Sequence, residues 1–212
     1  MPPPPERPAG LRETKRRQTR LALITAALTL VDERGADRVT VDEISALAEV
    51  SPRTFFNYFP TKEDALVGDP LEGSTDLRQQ LLAVPAGTPL LDALLTALGP
   101  AMRQIQAERA LWLLRMRVIS AHPQLLPLLI AAAATAEQEL AAAVAERLSL
   151  PPDHPFPPVA AAVANAALRV AVMRWAADTG GARPLSDHTR EAFGIVAAGL
   201  AAPVSTIEES DA

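Results

Sequence analysis

The chain has 212 residues, 49% of them apolar, with a net charge of −5 and no cysteine. That length suffices for one large or two small domains around a buried core. Disulfides and thiolate metal sites are excluded, and the lack of cysteine fits a reducing cytoplasm. Alanine and leucine dominate, which favours helices over strands.

His122, His154 and His188 stand apart without metal-ligand spacing, so structural or solvent-exposed roles are expected of them. The longest uninterrupted apolar runs, near 21–31 and 125–135, are about half of a membrane span. Met1-Pro-Pro-Pro-Pro5 lacks the basic and apolar parts of a signal peptide. A soluble cytoplasmic protein is expected, with no membrane association and no cofactor.

Five prolines in residues 2–8 mark an extended or disordered tail over 1–10, outside the fold. Longer proline-free windows follow, and these are natural containers for helices because proline breaks a helix interior. The first window begins basic: residues 1–20 carry six basic side chains against two acidic, whereas 21–66 carry four against eight. It then places Leu21, Ile24, Leu28 and Val31 at steps of three and four, one buried helical face. The face ends at Glu33-Arg34-Gly35, where glycine suits the residue just past a helix.

Three helix starts crowd into the next stretch. Thr40-Val-Asp-Glu43 is a capping box, in which threonine and glutamate satisfy each other's orphan backbone donors. The helix it starts runs from Val41 to about Ala48 and is expected to bury Val41, Ile44 and Leu47. Ser51-Pro52 pairs an N-cap serine with a proline at the first helical position. The helix from Pro52 to about Tyr58 buries Phe55 and Phe59, with Phe56 open between packing and an outward apolar contact. Thr61-Lys-Glu-Asp64 starts another, which stops by Gly68-Asp-Pro70. Two short helices joined by a tight turn, with a third close behind, are the local grammar of a helix-turn-helix DNA reader.

Glycine, proline, serine and threonine recur over 68–88, a connecting segment with at most a short helix near Asp76–Leu82. Five further helices are expected at 89–105 (kinked at Pro100), 108–121, 123–148, 157–178 and 186–201, before a polar tail at 204–212. No alternating pattern argues for a strand. The expected fold is all-α, with about nine helices. A helix-turn-helix domain covers 11–67, and a second helical domain covers 89–203.

The segment from Thr40 to Leu66 resembles the DNA-binding signature of TetR-family transcriptional regulators. The pattern matches at Thr40, Ile44, Ala48 and Val50-Ser51, continues through the aromatic-rich helix, and matches again at Phe59, Lys62 and Leu66. One residue departs from it: Glu49 stands in the turn where the family usually has glycine. A non-glycine residue forced to positive φ costs on the order of 1 kcal/mol. The resemblance implies a three-helix reader, a connecting helix, and a helical domain that dimerises and binds a ligand. The stretch Leu113–Leu126 further resembles a branch whose C-terminal domain is described as acyl-CoA-like ligand binding.

Within the reader, Thr40 and Thr61 sit at helix starts, where hydroxyls and free N–H groups meet phosphate oxygens. Phe55 and Phe59 define the inward face, so Ser51, Pro52, Arg53, Thr54 and Asn57 form an outward edge. Arg53 suits a bidentate guanine contact and Asn57 an adenine or phosphate. Tyr58 and Lys62 match family positions that grip the DNA backbone. Cations at a helix N-terminus oppose the macrodipole, so Arg16 and Arg17 are better explained by phosphate binding than by helix stability.

Downstream, Ala160–Leu168 is rich in small residues. These either admit a second subunit, giving a homodimer through 157–178 and 186–201, or pack internally. The helix at 108–121 is apolar nearly all round and is expected to be central, with Arg115 on its apolar face. Arg174 is placed on a face with Val163, Ala167 and Val170. A buried arginine must be paired, with a protein carboxylate or with an anionic ligand group. With Trp112, Met116 and Met173, Arg115 and Arg174 would suit an amphipathic effector with an apolar body and a negative head.

The leading reading is a homodimeric repressor released from operator DNA by a small, largely apolar effector. The alternative is a helical lipid-binding protein of the same architecture that does not bind DNA. No glycine-rich phosphate loop, Gly-x-Ser-x-Gly elbow or HExxH motif suggests an enzyme.

Overall fold

Local capping chemistry sets the short helices of the N-terminal third, and buried apolar stripes set the long ones. The computed structural model describes residues 9–68, 77–151, 153–178 and 183–199, with side chains from Thr14 onward. Among these it forms α1 (Ala9–Arg34), α2 (Val41–Leu47), α3 (Pro52–Phe56), α4 (Lys62–Val67), α5 (Leu77–Ala83), α6 (Leu90–Ala107), α7 (Arg109–Ala121), α8 (Leu126–Leu148), α9 (Phe156–Ala177) and α10 (Leu185–Ala197). Two 3-10 turns lie at Ala36–Arg38 and Pro123–Leu125, and no strand occurs among the described residues. The fold is all-α, with ten helices among the described residues against about nine expected, because the connecting segment does form a helix. Pro100 lies inside α6. The polar tail at 204–212 and residues 69–76 of the connecting segment lie outside the described residues, as do residues 1–8 of the proline-rich tail.

The chain divides into two compact units, and the division does not follow the linear one. α7, the turn at Pro123–Leu125 and the start of α8 belong with α1–α4; α5, α6, the rest of α8, α9 and α10 make the second unit. In the first unit α1 packs against α2, α4 and α7. A helix with several neighbours buries several sides. Leu23, Ala27 and Leu30 are therefore buried alongside Ile24, Leu28 and Val31, and Phe55, Phe59, Leu66, Val118, Ile119 and Leu125 close the same core.

Leu47 corrects the sequence reading: it is 53% exposed, while Ser45 is fully buried. The buried arc of α2 is centred on Val41, Ile44, Ser45 and Ala48, and Leu47 falls roughly 100° away from it at 3.6 residues per turn.

In the second unit α9 and α10 pair along their length. Ala161, Ala164, Ala167 and Ala171 are all buried there. These four small residues thus serve internal packing, while Ala162 and Ala166 are exposed. The opposite side of α9 exposes Phe156, Val159, Val163, Val170 and Met173. By length and composition alone, Pro123–Leu148 and Phe156–Ala177 are each sufficient to cross a membrane, which the count of uninterrupted apolar runs missed. The same two properties belong to helices that cover an apolar face with a partner.

Candidate nucleic-acid interface

The capping box expected at Thr40 forms, and the helix start expected at Thr61 forms a second one. Thr40 Oγ1 accepts from the Glu43 N–H at 3.3 Å, and Glu43 Oε2 accepts from the Thr40 N–H at 2.9 Å. At the start of α4, Thr61 Oγ1 accepts from the Asp64 N–H at 3.2 Å and Asp64 Oδ2 accepts from the Thr61 N–H at 2.9 Å. The Thr40 N–H and hydroxyl, with the nearby Arg34 guanidinium, hold the Glu43 carboxyl below the ordinary glutamate range. Ser51 Oγ caps α3 by accepting from the Thr54 N–H at 3.1 Å, with Pro52 at the first helical position.

The turn between α2 and α3 is a Schellman close. The Val50 N–H donates to Ser45 O at 2.9 Å and the Glu49 N–H to Ala46 O at 3.1 Å. This motif puts its C′ residue in the left-handed region, and Glu49 accordingly has φ 56°. The turn is the one a glycine would make, with a side chain added.

These caps orient one solvent-facing edge. Ser51, Pro52, Arg53 and Asn57 are exposed, and Thr54 and Tyr58 are half-buried. Phe55 is fully buried beneath them, with Phe59 beside it at 5.6 Å between ring centroids. Phe56 faces out at 57% exposure. With Leu47 it supplies apolar contact area that sequence reasoning had left open or placed inside. Thr40 is exposed at the N-terminus of α2. A guanidinium and a carboxamide on the exposed side of a short helix can make bidentate contacts to base edges in a major groove.

On α1, Arg16 is exposed, and Arg17 donates to Glu108 at 3.4 Å. Arg20 stacks over the Phe59 ring at 4.8 Å. Lys62 is only partly available: its ammonium donates to Ala36 O at 2.6 Å and Val39 O at 3.0 Å. Two of its three N–H bonds therefore serve the reader's own scaffold, and Glu63 Oε1 lies 3.9 Å from the ammonium.

The five residues assigned to an effector site fall in different units. Trp112 and Met116 are half-buried and Arg115 is 7% exposed, all in the first unit. Arg115 lies beside Gly68, whose backbone has φ 38°. Arg117, by contrast, is exposed and forms a two-pronged pair with Asp32, at 2.7 and 2.6 Å. Arg174 and Met173 correct the sequence reading: both are exposed on α9. The stripe that includes Val163 and Val170 is the outer one, so Arg174 lies at the surface and donates to Glu191 at 2.7 Å. Arg174 and Arg183, both bonded to Glu191, hold that carboxyl below its ordinary range. Among the described residues no group of three His, Cys, Asp or Glu side chains is placed to hold a metal.

A capped pair of short helices on a three-helix core, with a polar outward edge, defines a helix-turn-helix DNA-binding regulator. The comparisons agree. Residues 23–67 match the model described as bacterial regulatory proteins, tetR family, and residues 88–201 match the MftR C-terminal domain. The chain is 33% identical over 174 residues to the HTH-type transcriptional regulator TcmR of Streptomyces glaucescens, covering 78% of this chain and 76% of that protein. It shares its fold with the TetR-family repressor FadR of Thermus thermophilus, solved with lauroyl-CoA: TM-score 0.55, 23% identity, 88% of this chain and 97% of that one. SmeT, the repressor of a Stenotrophomonas maltophilia multidrug efflux pump, gives a TM-score of 0.53 at 16% identity, covering 86% of this chain and 91% of that one.

The chain belongs to the TetR family of bacterial regulatory proteins. It is a DNA-binding transcriptional regulator, from a family of regulators and not of enzymes. The lipid-binding alternative without a DNA function is not favoured.

Proposed function

We propose that the protein is a cytoplasmic homodimeric repressor that reads its operator with the exposed edge of α3 and leaves it when an effector binds. The observation that carries this reading is the edge itself. Ser51, Pro52, Arg53, Thr54, Asn57 and Tyr58 are fully or partly accessible above the buried Phe55. Arg53 and Asn57 read bases. Thr40, Tyr58, Arg16, Arg17 and the remaining N–H of Lys62 hold phosphates. Phe56 and Leu47 add apolar contact to the groove.

Two readers about 34 Å apart meet successive major-groove half-sites, so a two-fold partner completes the site. The outer stripe of α9, with exposed residues at 156, 159, 163, 170 and 173, follows steps of three, four and seven. That spacing is one helical face, and Ile195 on α10 is likewise exposed. A second copy of α9 and α10 covers this surface in a four-helix arrangement. Arg174 and Met173 then belong to the dimer side of α9.

Arg115, Trp112 and Met116 support an effector with an apolar body and a negative head. The structural relatives bound to lauroyl-CoA and to triclosan share only the fold with this chain, at 23% and 17% identity, so the effector class is argued from this chain's own residues. A 100-fold loss of operator affinity needs about 2.7 kcal/mol of coupling between sites.

Selection of bound fragments from the source genome followed by gel shifts tests the reading. Specific binding that weakens steeply with salt is expected. Absence of any preferred fragment at low salt refutes it.

A further inference from the structure

Of the large apolar side chains described in α1–α4, only Leu47 and Phe56 are exposed, at 53% and 57%. Leu47 lies on α2. Phe56 lies on α3, and helical geometry fixes its neighbours on that surface. At about 100° per residue, Phe56 stands roughly 60° to one side of Arg53 and Asn57 roughly 40° to the other, while Phe55 points away at about 160°. Burial follows this order: Arg53, Phe56 and Asn57 are exposed, and Phe55 is fully buried. A bare phenyl ring therefore sits beside the guanidinium, on the face that offers hydrogen bonds to bases.

The ring is held in place. Phe56 meets the buried Phe55 edge to face, with centroids 5.6 Å apart and planes at 84°, a geometry that aromatic pairs prefer. A phenyl ring carries neither donor nor acceptor, so it cannot answer the polar groups that guanine, adenine and cytosine show in the major groove. Pressed against them, it would leave them dehydrated and unpaired. Thymine alone places a methyl group there, on C5. Along a helix, three residues span about 4.5 Å, against about 3.4 Å for one base step. Phe56 thus reaches a base within two steps of the one that Arg53 contacts.

We infer that Phe56 reads a thymine in each operator half-site by packing its ring against the 5-methyl group, no more than two base pairs from the base that Arg53 contacts. This rests on the reading of α3 as the base-reading helix and makes it specific: the operator carries that methyl group, and Phe56 selects for it. Arg53 selects through hydrogen bonds and Phe56 through apolar contact, so the two side chains answer to different chemical changes in the DNA.

The experiment uses the full chain and the best-bound genomic fragment, made as synthetic duplexes in which thymine is replaced by uracil at one position of both half-sites at a time. Each exchange removes a methyl group and leaves base pairing intact. Exchange at one position is expected to weaken binding about fourfold per half-site, the worth of one buried methyl group. That position should lie within two base pairs of the one whose preference Arg53→Ala relaxes. Phe56→Ala should bind the thymine and uracil duplexes equally, while Phe56→Leu, also apolar, keeps part of the difference. A role in folding alone would lower affinity for every duplex alike and leave the thymine-to-uracil ratio unchanged. No uracil-sensitive position, one farther away, or a sensitivity that persists in Phe56→Ala overturns the contact while the DNA-reading function stands. Absence of any preferred fragment removes that function and the contact with it.

Discussion

His122 ties the end of α7 to the turn between α1 and α2: its Nε2 accepts from the Ala36 N–H at 3.2 Å while Nδ1 meets Val118 O at 2.8 Å. Those partners require a neutral ring with its proton on Nδ1. Lys62 holds the carbonyl of the same Ala36, so the turn is clamped at both backbone groups. His122→Phe keeps an aromatic ring, a somewhat larger one, but strands a buried N–H, which costs about 1–3 kcal/mol. At about 2–4 °C per kcal/mol for a chain of this size, the melting temperature should fall measurably. An unchanged melting curve, with unchanged amide exchange at Ala36, would show that the bond is dispensable.

Glu49 carries a φ of 56° in the Schellman turn, and its side chain is exposed. Glu49→Gly should relieve the left-handed strain by on the order of 1 kcal/mol, partly offset by the greater unfolded freedom of glycine. The same change removes a negative charge from the turn beside the DNA-facing edge. Thermal unfolding should move up and operator affinity should rise. A drop in both would mean that the carboxylate has an unseen role.

Arg53 and Arg16 should fail in different ways. Arg53→Ala should lose about 1–3 kcal/mol against the best operator and relax the preferred base at one position in each half-site. Arg16→Ala should weaken all sequences alike and lower the salt slope by about one. Gel shifts over a salt series read both effects. Identical behaviour of the two variants would contradict the separation of base and phosphate roles.

Val170 lies on the outer α9 stripe and is 45% exposed. Val170→Asp puts a charge on a surface expected to be covered, and light scattering should show a shift from dimer to monomer, with loss of tight operator binding. A monomeric natural protein, or a variant that stays dimeric, argues for another interface.

Glu43 and Glu191 set an acid limit. Both have folded values below the ordinary glutamate range, the first through Thr40 and the second through Arg174 and Arg183. A depressed carboxylate stabilises the fold above its unfolded value, and that contribution is lost as pH falls through the folded value. Unfolding midpoints should therefore be flat near neutral pH and decline below the ordinary glutamate range. Glu43→Gln, which cannot titrate, should start lower and fall less steeply. Equal slopes would sink the assignment.

Much of the reader was legible because its determinants are local. A capping box needs only residues three apart: the one at Thr40 formed as the spacing implied, and the helix start expected at Thr61 proved to be a second. The Phe55 and Phe59 pair gave the inward face by helical geometry alone. Leu47 was misplaced because seven residues define a face poorly, and the position of α2 against α1 decided which arc was buried. Arg174 was misplaced for a related reason: in an apolar helix both sides look like core, and only the pairing of α9 with α10 revealed which side was covered.

What the amino-acid order determined by itself was therefore the set of helices, their caps and the aromatic pivot of the DNA-reading edge, since these depend on contacts within a few residues. Tertiary structure alone decided that α7 joins the reader's unit, that His122 and Lys62 clamp one turn, and that His188 is buried without a partner. Those outcomes rest on groups up to 86 residues apart, whose meeting no local pattern encodes.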